Sequence, residues 1–176
     1  MKTRTKMITL VSALIAAMSL SALGQEGVKH HKHSGKNSMN HSFDDRMKPI
    51  LTEYLKLHKS LMAGKIENLS TMAKNIEMLS NKLDPSSVHG EHAGHYKHIP
   101  MNLGKYSKLL NKSKTLSEAR EVFKKLSQPM AMWVGMAKPK GYQVMFCPMV
   151  KASWVQKEGT TQNPYDDKMP SCGSKV

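Results

Sequence analysis

Residues 44–63, DDRMKPILTEYLKLHKSLMA, decide the fold class of this chain. Met47, Ile50, Leu51, Tyr54, Leu57 and Leu61 recur at three- and four-residue intervals and fall on one face of a helix. Gly64 breaks the pattern. A second stripe of Ile66, Leu69, Met72, Ile76, Leu79 and Leu83 predicts a helix over 65–83, stopped by Asp84-Pro85. Leu103, Tyr106, Leu109 and Leu110 predict a third over 100–111. Thr115-Leu116-Ser117-Glu118 has the form of a capping box. It opens a fourth helix through Ala119, Val122, Phe123, Leu126, Met130, Trp133 and Val134, with a kink expected at Pro129 and closure at Gly135 and Pro139. Four amphipathic helices joined by short connections predict a mainly α protein, an antiparallel four-helix bundle.

The character changes on both sides of that bundle. Lys2, Arg4 and Lys6 precede an apolar run from Met7 to Leu23, and Ala22-Leu23-Gly24 offers small residues at a cleavage site. Residues 1–24 therefore read as a secretory signal, so the mature chain is expected in the periplasm or outside the cell. No second long apolar run is present, so that mature chain is not expected to span a membrane. Residues 25–43 are polar and rich in His, Gly, Ser and Asn, the composition of a disordered tail. Residues 44–176 are enough for one domain with a core of its own. The net charge is +14, of which Lys2, Arg4 and Lys6 leave with the signal, giving +11. The remaining lysines are scattered and the chain is exported, which argues against nucleic acid as the partner. No nucleophile elbow, phosphate loop or haem-attachment motif is present, and no enzymatic activity is expected.

After Gly141 only Tyr142–Phe146 looks β-prone, and the stretch to Val176 is rich in turn formers. An irregular segment is expected there, held by a link between Cys147 and Cys172, the only two cysteines. Each has a methionine nearby: Cys147-Pro148-Met149 and Met169-Pro170-Ser171-Cys172. Pro148 favours an extended Cys147, which would put the sulfurs of Cys147 and Met149 on one side. Pro170 suits the second position of a turn from Met169 to Cys172. Two thiols and two thioethers suit Cu(I) or Ag(I). A plain disulfide is the alternative, because paired cysteines in exported proteins usually oxidise.

Two further groups are candidate ligands. His89, His92, His95 and His98 recur every third residue and suit weak binding of Cu(II) or Zn(II). Met132 and Met136, near the end of the fourth helix, are candidate accessory soft ligands.

The set Leu126-Ser127, Cys147-Pro148-Met149, Trp154, Asn163-Pro164-Tyr165, Met169 and Cys172-Gly173, with Tyr54-Leu55 and Leu61 on the first helix, resembles a known family. It is the domain of unknown function of small exported bacterial proteins, also appended to periplasmic adaptor subunits of copper/silver efflux pumps. The likeness covers residues 47–173. The chain departs from it at Asp166-Asp167, where the family has Gly, and at Pro129. The resemblance implies heavy-metal handling in the periplasm, with an efflux-pump adaptor as the expected partner. The competing expectation is a non-metal envelope interaction module stapled by a Cys147–Cys172 disulfide.

Overall fold

The computed structural model describes residues 38–176, with side chains from Phe43 onward. The expected signal, 1–24, and most of the expected disordered tail, 25–43, lie outside the described residues. The chain is mainly helical, with a small three-stranded antiparallel sheet at its C-terminal end. The helices are α1 (Ser38–Met62), α2 (Leu69–Ser80), α3 (Ala93–Tyr96), α4 (His98–Lys112) and α5 (Leu116–Ala137). The strands are β1 (Tyr142–Cys147), β2 (Ala152–Lys157) and β3 (Ser174–Lys175), in the order β2-β1-β3.

α1 carries its predicted stripe into the core, with Met47, Ile50, Tyr54, Leu57 and Leu61 fully buried. It begins six residues earlier than expected, so Phe43 is also in the core and meets Tyr96 of α3 edge to face at 4.9 Å. Gly64 closes α1 with φ +67°, and Lys65 N–H reaches back to the Ser60 carbonyl at 2.9 Å. α2 is shorter than the 65–83 expected. Asn68 adopts a left-handed backbone, so Ile66 falls before the helix and is left exposed. α4 packs on α2 and on α5, and α1 packs on α2. Gly104 sets the first approach, because a Cβ there would meet Ser80 Oγ at 3.3 Å.

α5 starts as its capping pattern predicts. Thr115 Oγ1 accepts the Glu118 N–H at 3.2 Å, and Glu118 Oε2 accepts the N–H of Lys114 at 2.8 Å. Its end differs from the expectation. The helix passes Pro129 and Gly135 and stops at Ala137, where Lys138 turns into the left-handed region. Pro129, Met130, Trp133 and Val134 are all buried, so packing outweighs the one backbone bond that proline removes. Trp133 Nε1 also donates to Asp44 Oδ1 at 2.8 Å, tying α5 to α1.

The C-terminal segment is a correction to the sequence reading. The β-prone stretch 142–146 falls in β1, but only residues 158–173 are irregular, and the segment is not short of apolar anchors. β1 and β2 form a hairpin in which Met145 faces Trp154 and Cys147 faces Ala152. Met145, Cys147, Trp154, Val155 and Tyr165 all join the core. Tyr54 is the point where helices and sheet meet. Its hydroxyl accepts the Val155 N–H at 3.1 Å and lies 2.7 Å from Ser127 Oγ, while its ring stacks on Phe123 at 4.8 Å. One phenol thus links α1, α5 and β2. Burial pushes its pKa up, so it stays protonated. Tyr54→Phe keeps the ring and strands two buried partners, and we expect a loss of about 1–3 kcal/mol. Urea unfolding checks this; an unchanged midpoint would remove Tyr54 from this role.

Candidate functional site

The sulfur site is assembled from two arms. Cys147 ends β1 on its buried face and has no exposed surface. Cys172 lies just before β3, half-buried. The two are joined as a disulfide with Cα atoms 5.7 Å apart. Closing a loop of this length stabilises the fold by roughly 3.5 kcal/mol in the chain-entropy model.

The second arm is held by side chains whose place in the motif the geometry explains. Asn163 is buried, and its backbone N–H and both ends of its side-chain amide are bonded. Its N–H donates to the Pro170 carbonyl at 2.8 Å, and its Nδ2 to the Met169 carbonyl at 3.1 Å. Its Oδ1 accepts the Tyr165 N–H at 3.0 Å. Tyr165 is buried against Trp154 and Phe123, and its hydroxyl donates to the Ser153 carbonyl at 2.6 Å. Asp166 closes its own turn by accepting the Lys168 N–H at 2.8 Å, which is work a glycine there would leave to the backbone. Arg120 of α5 holds the loop from outside. It donates to the Leu61 carbonyl at 3.2 Å and faces Asp167 at 3.5 Å.

The turn expected at Met169 forms, with Cys172 N–H donating to the Met169 carbonyl at 3.1 Å. The extended reach expected of Cys147-Pro148-Met149 does not. Pro148 to Lys151 are the hairpin turn, closed by Lys151 at φ +51°, so Met149 stands at its tip, 70 % exposed. Gly173 has a specific reason to succeed Cys172. Its φ is +137°, and a Cβ there would overlap Trp154 Cη2 and sit 3.3 Å from the Phe146 carbonyl.

The remaining candidates are dispersed. His89, His92, His95 and His98 are all exposed on the stretch leading into α4, with only the His92 and His95 rings neighbours at 6.2 Å. Among the described residues no group of three His, Cys, Asp or Glu side chains lies close enough to hold an ion. Met132 is exposed on α5 and Met136 half-buried one turn on. Both sit on the helix, apart from the two arms that carry the cysteines.

One buried titratable residue escaped the sequence reading. His58 lies four residues after Tyr54 on the same stripe and is only 3 % exposed. Its Nε2 donates to the Gln162 carbonyl at 2.9 Å, joining α1 to the loop after β2. That loop is also fastened by Gln156, whose Oε1 accepts from Trp154 Nε1 and from Gln162 N–H. The apolar period of α1 should have drawn attention to an ionisable group placed on it.

The family comparison covers the helical part. Residues 50–140 match the family described as a protein of unknown function, DUF3347, and the chain belongs to that family. The match ends before β1, so the cysteine, tryptophan and Asn-Pro-Tyr motifs lie beyond it. No curated protein and no solved structure matches the chain.

Two measurements test this geometry. Gly173→Ala should cost about 2–4 kcal/mol, combining backbone strain with the Trp154 overlap. Gly141→Ala, at φ +82° with no atom within 4 Å, should cost less than half as much in the same denaturation series. Burial pushes the His58 pKa down to about 4 from 6.5. The unfolded chain therefore takes up this proton first. The His58 contribution is intact above pH 6.5 and erodes as pH falls towards 4, by up to about 3 kcal/mol. His58→Gln, which keeps a donor for Gln162, should lose that part of the pH dependence. Parallel pH profiles for the two proteins would contradict it.

Proposed function

We propose that this protein binds a soft monovalent metal ion, Cu(I) or Ag(I), as an exported accessory of heavy-metal efflux or homeostasis. The observation that carries this reading is the pairing of Cys147, at the end of β1, with Cys172, which follows the 163–170 loop. Two-electron reduction by a thiol donor opens the disulfide and yields two thiols. The ion then displaces their protons, and both thiolates bind it. Met169 is tied to Cys172 by the turn and is the third donor; Met149, exposed on the hairpin tip, is the fourth. An ion held between the two sulfurs separates them further than a disulfide does. The 163–173 loop supplies that movement, because β1 is fixed in the sheet.

The rest of the reading rests on the sequence. Residues 1–24 direct export to the periplasm, and the long helices form an antiparallel four-helix bundle. That bundle presents the site to an efflux-pump adaptor. His89, His92, His95 and His98 form a weaker class of sites for Cu(II) or Zn(II). Nothing in the arrangement calls for catalysis.

A second reading rests on the complete burial of Cys147. In it the disulfide is permanent, and the protein is an envelope interaction module without a metal. Native mass spectrometry of reduced protein with Ag(I), competed against a strong thiol chelator, separates the two. We expect one tightly held ion per chain, lost in Cys147→Ser and in Cys172→Ser and weakened in Met169→Leu. Absence of any bound ion on the reduced chain would overturn the proposal and leave the stapled module; retention of the ion in the double serine variant would overturn it by moving the site away from the cysteines.

A further inference from the structure

A cleft of about 620 Å³ lies between α1 and the open end of the hairpin, at the opposite end of β1 from Cys147. This is within the range of small-molecule sites. Its apolar wall is Leu55 and the ring of Tyr142, both half-buried. The buried ring of His58 also lines it. With Nε2–H committed to the Gln162 carbonyl, the other ring nitrogen is a lone-pair acceptor.

The charge of the cleft is not neutralised. Lys56 is engaged by Glu53, but Lys59 and Lys157 make no ion pair among the described residues. Glu158 is the sole acidic residue on the lining. Two unpaired ammonium groups thus flank a partly apolar cavity, in which their field is less screened than on a convex surface.

We infer that this cleft is a binding site for a small polyanion, a di- or tricarboxylate or a condensed phosphate, held by Lys59 and Lys157. Tyr142 and Leu55 pack against the body of the ligand, and the free nitrogen of His58 accepts a hydroxyl or acid proton from it. The site is built without either cysteine and is independent of the metal reading.

The test uses the full chain in its oxidised, metal-free form, at constant ionic strength, monitored by amide NMR. Citrate and pyrophosphate serve as separate probes and distinguish carboxylate from phosphate. At least one should bind saturably, with shifts centred on Leu55, Tyr142, Lys157 and Thr160. Lys59→Gln with Lys157→Gln should weaken it about tenfold, as two exposed charge contacts are removed. Lys105→Gln with Lys108→Gln, on α4, takes away the same charge elsewhere and should leave it unchanged. Equal weakening in both double variants would mean diffuse attraction to a basic protein and would overturn the site. So would the absence of saturable binding of either probe to the unmodified chain.

Discussion

The covalent link between Cys147 and Cys172 is the constraint on which the C-terminal third depends. It joins the last residue of a buried strand to a segment whose only regular structure is the two-residue β3. Everything between β2 and β3 is loop, and its backbone polar groups must find partners one at a time. Asn163 and Gln156 supply partners from side chains, and the Tyr165 hydroxyl ties the loop back to Ser153 of β2. Glycine at 173 lets the closing strand lie against Trp154. The sulfur bond offsets roughly 3.5 kcal/mol of the entropy that would otherwise favour releasing this loop.

The helices and the sheet form one core because α1 serves both. Tyr54 and His58, one turn apart, each bond to the C-terminal region, the first to β2 and the second to the loop beyond it. Arg120 makes the corresponding bridge from α5. The family match stops at residue 140, yet residues within it are shaped to receive the hairpin and loop of the C-terminal segment. Ser127 is an example: a buried hydroxyl on a helix that otherwise presents carbon to the core.

The helical part was legible because its signal is local. The stripe of α1 and the cap of α5 are written in residues three and four apart, and both appear where the pattern puts them. The errors lie where a tertiary contact overrides the local rule. Ile66 continues a good helical period, but left-handed Asn68 cuts it off. Gly135 does not end α5, since Trp133 and Val134 bury the turn around it. The sheet was missed for a different reason. β2 has an ordinary strand composition, but β3 is too short to see, and the hairpin turn uses Lys151 where glycine or asparagine would have announced it. The pairing of the two arms at the cysteines was visible in the motif; the exposure of Met149 was not, because it is set by the hairpin register.

The central claim is that the sulfur pair organises the 163–173 loop and that a soft ion can replace the disulfide in doing so. Hydrogen exchange on the reduced, metal-free protein tests it most directly. The amide of Val155, held by the Tyr54 hydroxyl, should stay protected whatever the state of the sulfurs. The amides of Asn163, Tyr165 and Cys172 should exchange faster on reduction and recover when Ag(I) is added. A loop that keeps full protection when reduced and metal-free would be held by packing alone, and a reduced loop that Ag(I) fails to protect would mean the sulfurs are not a metal site.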